Sequence, residues 1–105
     1  MASLGELREQ LDLVDDQIVK LYEERMRICR EVGEYKINSG TKVFDRQREK
    51  EKLADVAGKT ATEFNKKGIQ ELYQQLMSMS RKLQYQQLVQ AGALGRLPFI
   101  QIDSL

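Results

Sequence analysis

The fold is decided by one stretch, LGELREQLDLVDDQIVKLYEERMRICREV, which spans residues 4–32. Its apolar residues recur at alternating steps of three and four, the spacing that places them on one side of an α-helix. This apolar stripe consists of Leu4, Leu7, Leu11, Val14, Ile18, Leu21, Ile28 and Val32. A pattern of this regularity predicts a long helix that packs against a partner helix.

Arg25 interrupts the apolar stripe at a position where the pattern expects a leucine. A guanidinium in a helix seam is costly unless an anion meets it, because a buried charge needs a partner. Two alternatives stay open for that anion. Either a carboxylate of the protein, such as Glu24 or Asp15, pairs with Arg25, or a ligand does.

The composition limits the possible functions. A chain of 105 residues forms one small domain, and its 17 basic and 16 acidic residues give no net field that favours nucleic acid or an anionic membrane. The sequence has no histidine, which removes the usual general base and zinc ligand, so we expect neither a metal nor a cofactor. A single cysteine, Cys29, and the lack of a signal-peptide pattern favour a soluble, cytoplasmic protein.

The residue types of the first 97 positions, rich in Leu, Glu, Gln, Lys and Arg, predict an all-α fold. The first helix is expected from a Ser3 N-cap, with Glu6 at the capping-box spacing, to about Asn38. At 1.5 Å per residue such a helix spans about 50 Å, too long for a small domain to bury its stripe. We therefore expect a homodimer.

Two more helices are predicted after a break at residues 38–41. The predicted boundaries are Phe44 or Asp45 to Ala57 for the second helix, ended by Gly58, and Lys66 to Ala91 for the third, capped by Asn65. Ser80 and Gln84 interrupt the apolar face of the third helix, so both seams carry polar residues, as in a site lined by helices. Residues 1–91 are predicted to form the helical domain, and residues 92–105 a tail or linker.

The helical positions of the cations indicate which of them can share a site. Arg25 and Lys36 are eleven residues apart, so they lie on one face about 16 Å apart and can bracket a small dianion. Arg8 lies about 100° round the helix from Arg25 and about 25 Å away, so it cannot enter the same pocket from the same helix, whereas an antiparallel partner helix could deliver a second copy of Arg8 there. In a purely structural interpretation, Lys36 favours the helix dipole and Arg8 is simply exposed.

Five other candidates share helix faces and also have structural interpretations. Asp45, Arg48 and Glu49 share a face of the second helix, but their run is so charged that it is also typical of a solvated face. Ser80 and Gln84 share a face of the third helix. A small residue such as Ser80 can simply let helices approach, and Gln84 can be a surface glutamine.

Several segments, taken in order, resemble the all-helical chorismate mutases, in particular the mutase domain of bifunctional mutase–prephenate dehydratases. They are LREQLDLVD (7–15), ER (24–25), EVGEYK (31–36), VFDRQRE (43–49), and Ser80 with Gln84. The resemblance covers about residues 4–90. The related isochorismate-pyruvate lyases share the first-helix pattern but usually lack the DRxRE segment, so its presence favours the mutase.

The resemblance implies a dimer of three-helix chains with interlocked first helices and two active sites. Arg25, helped by Ser80, would bind one substrate carboxylate, and Arg8 of the opposite subunit would bind the other. Lys36 would contact that second carboxylate and the ether oxygen of chorismate. Gln84 would be a second donor to the same oxygen.

The resemblance also assigns the ring end of the substrate. Glu49 and the backbone at Asp45 would hold the ring hydroxyl, and Arg48 would reinforce this end. The implied reaction, chorismate to prephenate in aromatic amino-acid biosynthesis, is a one-step rearrangement without proton transfer. It needs positioned cations and amide donors rather than a histidine.

Two alternatives remain beside the mutase. The first is the isochorismate-pyruvate lyase on the same fold, and the second is a non-enzymatic dimeric helical adaptor in which Arg25 pairs internally. The tail at residues 92–105 is expected either to lead towards a dehydratase domain or to dock on the dimer.

Overall fold

The computed structural model of the protein describes residues 1–93 and residue 95. These residues form three helices and no strand: α1 Leu4–Ser39, α2 Arg46–Ala57 and α3 Glu63–Ala93. The predicted all-α class with one very long helix is confirmed. None of these described helices combines the length and hydropathy that a membrane span requires.

Both ends of α1 follow from local capping chemistry. Ser3 Oγ accepts a hydrogen bond from the Glu6 N–H at 3.1 Å, and Glu6 Oε1 accepts one from the Ser3 N–H at 3.3 Å, which is the predicted capping box. The helix ends at Gly40, whose φ of 70° lies in the left-handed region that only glycine adopts readily. The predicted boundaries of α1 are therefore correct to within one residue.

The short helix α2 begins at Arg46, one or two residues after the predicted start at Phe44 or Asp45. Asp45 is the N-cap, and its Oδ1 accepts a hydrogen bond from the Arg48 N–H at 3.0 Å. The helix ends at Gly58 as expected, although Gly58 keeps a right-handed φ of −69°. The left-handed freedom of glycine is therefore used at Gly40 but not here.

The predicted start of α3 is wrong by three residues. Thr62 and not Asn65 caps the helix, because Thr62 Oγ1 accepts the Asn65 N–H at 3.1 Å and α3 begins at Glu63. The helix also runs two residues past the predicted end, to Ala93. Apart from its first residues and residue 95, the predicted tail lies outside the described residues.

Among the described residues of α1, only the C-terminal part of the helix contributes buried side chains to the packing of the helices. Its residue Ile37 joins Val43, Leu88 and Ala91 in a small core, beside the partly buried Tyr85. Helix α3 packs against both α1 and α2. The buried residues of α1 are Gly33 and Ile37, whereas the apolar stripe is exposed from Leu4 onward. The packed end of α1 is therefore the end that can shape a site with α2 and α3.

Candidate active site

A cavity of about 130 Å³, open to solvent, lies where the C-terminal part of α1 meets the start of α2 and the middle of α3. It is lined by Arg25, Cys29, Lys36, Val43, Asp45, Arg48, Glu49, Lys52, Met77, Ser80, Arg81 and Gln84. Five of these side chains are cationic and two are carboxylates, although the whole chain carries a formal charge of only +1. The cavity therefore concentrates positive charge and suits an anionic ligand.

Arg25 faces this cavity with neutral partners. Its Nη1 donates to Ser80 Oγ at 2.6 Å and to the Leu76 carbonyl oxygen at 3.5 Å, and it lies 3.7 Å from Cys29 Sγ. The guanidinium carbon is also 6.0 Å from the centroid of the Tyr73 ring. Among the described residues, no carboxylate lies within ion-pair distance of Arg25. The neutral partners orient the Arg25 guanidinium, but no described carboxylate neutralises its charge.

Glu24, one of the two internal partners that the sequence left open for Arg25, pairs with Arg27 instead. Arg27 Nη2 lies 2.7 Å from Glu24 Oε1, and Arg27 Nη1 lies 2.9 Å from Glu31 Oε2. Hydrogen bonding to Arg27 lowers the pKa of the Glu24 carboxyl below its ordinary value. Residues three apart lie on the same side of a helix, so the Glu24 carboxylate reaches Arg27. Adjacent residues point about 100° apart, so Arg25 points away from Glu24 and faces the cavity.

Lys36 and Gln84 also line the cavity, where their side chains meet. Lys36 Nζ donates to the Val43 carbonyl oxygen at 2.7 Å and to Gln84 Oε1 at 3.3 Å. Gln84 is 5% exposed, and its Nε2 donates to the Cys29 carbonyl oxygen at 3.0 Å. The interpretation of Gln84 as a surface glutamine is therefore wrong, because its amide is buried between α1 and α3.

A glycine of α1 makes room for the Gln84 side chain. An added Cβ at Gly33 would overlap Gln87 Oε1 and would lie 3.0 Å from Gln84 Cγ. Gln87 is itself buried, and its Nε2 donates to the Arg30 carbonyl oxygen at 2.9 Å. Two glutamines of α3 thus bind neighbouring carbonyls of α1 through a gap that only glycine leaves.

The start of α2 forms the remaining wall. Asp45 and Arg48 are exposed at its first turn, joined by the N-cap hydrogen bond, and both line the cavity. Glu49 is half-buried and forms an ion pair with Arg81 of α3. The charged run of α2 is therefore not a purely solvated face, since Glu49 points to α3.

The structure brings together seven of the eight candidate site residues. Those lining the cavity are Arg25, Lys36, Asp45, Arg48, Glu49, Ser80 and Gln84. The eighth, Arg8, is exposed on α1 and does not line this cavity. Sequence reasoning did not identify Cys29, Val43, Lys52, Met77 or Arg81 as lining residues. For Arg81 a signal exists, because it lies three residues before Gln84 and so shares its helix face.

No group of three or more Cys, Asp or Glu side chains suitable for a metal ion occurs within residues 1–93. What the cavity offers instead is a set of fixed cationic and amide donors. Such donors can bind a dianion and stabilise negative charge that develops on an oxygen of the ligand.

Comparison with known proteins gives the family. The family described as chorismate mutase type II matches the chain over residues 7–85, which include every residue lining the cavity. No curated protein matches the chain significantly. The resemblance noted in the sequence motifs is thereby confirmed for the family, while the likeness to the bifunctional enzymes stays a prediction. The chain belongs to the type II chorismate mutase family.

Proposed function

We propose that the protein is a chorismate mutase, which rearranges chorismate to prephenate at the cavity between its three helices. The observation that carries this proposal is the cationic cavity with its unneutralised Arg25. Chorismate carries two carboxylates, and a pocket with an excess of fixed cations complements such a dianion. The rearrangement is intramolecular: one C–O bond breaks, one C–C bond forms, and no proton is transferred.

In this proposal Arg25, held in place by Ser80, binds one substrate carboxylate. The Ser80 hydroxyl donates to the Leu76 carbonyl oxygen at 2.9 Å, so its oxygen is oriented to accept from Arg25. These hydrogen bonds hold the Arg25 guanidinium in place, and because the partners are neutral, its positive charge can still bind an anion. A guanidinium held in this way can bind a carboxylate through two parallel hydrogen bonds, at little cost in side-chain entropy.

Lys36 and Gln84 stabilise the charge that grows on the ether oxygen as the C–O bond breaks. Lys36 is held by the Val43 carbonyl and Gln84 by the Cys29 carbonyl, so both donors are positioned before the substrate binds. An amide nitrogen carries two hydrogens, and the one that does not bind Cys29 is assigned to the ether oxygen. Donors fixed in advance cost no reorganisation in the transition state.

The ring end of the substrate is assigned to the start of α2. Glu49 and the backbone at Asp45 hold the ring hydroxyl, and Arg48 adds a cation at the mouth of the cavity. The position of all three residues on the wall of the cavity supports this assignment. The DRxRE segment that carries them also favours the mutase over the isochorismate-pyruvate lyase.

We further propose that two copies of the chain form an interlocked homodimer and that Arg8 of the partner copy completes each site. In one chain, large apolar side chains of α1 stay exposed, including Leu11 at 60%, Ile18 at 56% and Leu21 at 68%. An apolar face of this length is typical of an interface and not of a free surface. The helical position of Arg8, far from the cavity of its own chain, fits a role in the partner's site.

The test is the loss of chorismate absorbance, measured for the wild type, Arg25→Ala and Arg27→Ala. Arg27 is the matched control, because it is an arginine of the same helix whose charge is already paired. The wild type and Arg27→Ala should convert chorismate at similar rates, and Arg25→Ala should be slower by about 100-fold or more. A wild type that leaves chorismate unchanged but releases pyruvate from isochorismate would favour the lyase. No turnover of either substrate would favour the helical adaptor.

A further inference from the structure

Arg81 is a charged residue of the cavity to which neither the sequence motifs nor the family resemblance gives a role. Its Nη1 forms the ion pair with Glu49 Oε1, which joins α3 to α2. Its guanidinium carbon lies 5.1 Å from the centroid of the Phe44 ring, just before α2. The side chains of Arg81 and Glu49 are only 25% and 22% exposed. Arg81 is thus held at one edge of its planar group by Glu49, while the group lies over the Phe44 ring.

This ion pair differs from those on the surface of the molecule. The pairs made by Arg27, Lys52, Lys59 and Lys66 join residues three or four apart in sequence, and most of their side chains are largely exposed. Such pairs contribute little to stability. The Arg81–Glu49 pair spans 32 residues, is less exposed and is backed by an aromatic ring. Its geometry is therefore held more tightly than that of a surface pair.

The pair also divides the charges of the cavity into two groups. Arg81 and Glu49 neutralise each other at the ring end. The other cations that line the cavity are Arg25, Lys36, Arg48 and Lys52, of which Lys52 pairs with Asp55, and the other carboxylate that lines it is Asp45. Because its charge is paired with Glu49, Arg81 is poorly placed to bind a substrate carboxylate. It affects a ligand indirectly, by fixing the position of the Glu49 carboxylate.

We propose that Arg81 is a positioning residue for substrate recognition. It holds Glu49 through Oε1 and so presents Oε2, the second acceptor oxygen of the same carboxylate, to the ring hydroxyl of the substrate. Arg81 thereby sets the preference for a substrate that bears this hydroxyl. The inference rests on the proposed mutase function of the cavity, and it adds a residue that acts without touching the substrate.

The experiment is a double-mutant cycle on kcat/KM for chorismate, comprising the wild type, Arg81→Ala, Glu49→Ala and the double variant. Each single variant should lose about tenfold or more, the effect of losing one charge-assisted hydrogen bond. The double variant should be no worse than Glu49→Ala within about twofold, because Arg81 acts through Glu49. Losses that multiply in the double variant would overturn the inference.

Two further measurements separate positioning from a general structural effect. On a chorismate analogue without the ring hydroxyl, Arg81→Ala and the wild type should have equal kcat/KM, whereas an equal loss on both substrates contradicts the inference. Arg81→Lys keeps the charge and should recover part of the loss, whereas Arg81→Met, which keeps only bulk, should recover none. Lys59→Ala removes an exposed cation of a surface pair and should match the wild type throughout.

Failure of this inference differs from failure of the proposed function. A wild type without turnover of chorismate overturns both. An active wild type whose Arg81→Ala and Glu49→Ala losses multiply overturns the role of Arg81 alone. If Arg81→Ala does not fold, the comparison of Arg81→Lys with Arg81→Met on chorismate and on the analogue decides the question with the same expected outcomes.

Discussion

The two halves of α1 differ although one continuous helix contains both. In the C-terminal half, Gly33 and Ile37 are buried against the rest of the chain, and Arg25 and Lys36 face the cavity. In the N-terminal half, a regular apolar stripe stays exposed within the described part of the chain, with Ile18 at 56%. The apolar stripe is regular in the N-terminal half, whereas Arg25 interrupts it in the C-terminal half, where the helix packs against α3.

This difference shows how a short chain builds a site. Three helices suffice to hold a cluster of donors, because α3 is long enough to cover one end of α1 and to support α2. They do not suffice to cover a helix of about 54 Å. In our proposal the uncovered half serves a second copy of the chain, so that each α1 helps to form two sites.

The largest expected effect concerns the C-terminal half of α1, where Lys36→Ala should lower kcat by about 100-fold or more. It removes a fixed cation at the developing oxyanion. Association of the chains should not change, which steady-state kinetics and sedimentation can show together. The matched control is Lys59→Ala, which removes an exposed lysine paired with Asp55. Activity of Lys36→Ala within about threefold of the wild type would remove this residue from the mechanism.

The second-largest expected effect concerns the N-terminal half of α1, where Ile18→Asp should weaken dimerisation by about 100-fold or more. A carboxylate without a partner would be buried in the interface in both copies. Analytical ultracentrifugation over a dilution series measures the dissociation constant. Ile18→Leu, which conserves volume and polarity, should associate like the wild type. Unchanged association of Ile18→Asp would mean that the apolar stripe does not form the interface.

The smallest effect is a loss of stability when the gap at Gly33 is filled. Gly33→Ala should destabilise the fold by about 1–3 kcal/mol, because the new methyl overlaps Gln87 and crowds Gln84. Gly68→Ala is the control, since a Cβ at Gly68 meets nothing within 4 Å, and it should be neutral or stabilising by up to about 1 kcal/mol. Thermal melting compares the two. Equal stability of both variants would show that the gap at Gly33 is not required.

Local signals in the sequence predicted most of the helix boundaries. The capping box at Ser3 and the break at residues 38–41 depend on residues close together in sequence, so the sequence alone predicts both. The start of α3 was missed because Thr62 and Asn65 are both good N-cap residues, three positions apart. In the structure Thr62 accepts the Asn65 N–H, and the helix gains its first turn from that choice.

The site was predictable where helical spacing or family motifs identify it. Arg25 and Lys36 share a face by spacing alone, and Ser80 and Gln84 interrupt the apolar face of the third helix, while the family motifs suggest what each residue does. The pairing of Arg81 with Glu49 was not predictable, because the two residues are 32 positions apart and meet only when α2 and α3 pack. Side-chain pairs between helices depend on tertiary packing, and a local pattern does not encode them.

The shared site can be tested most directly by mixing two inactive variants, Arg8→Ala and Arg25→Ala. In a dimer with sites built across the interface, each heterodimer contains one site with both arginines intact. Unfolding and refolding an equimolar mixture should therefore restore about a quarter of the wild-type activity, since half of the dimers are mixed and one of their two sites is complete. A mixture as inactive as its components would contradict the proposal that Arg8 serves the partner's site.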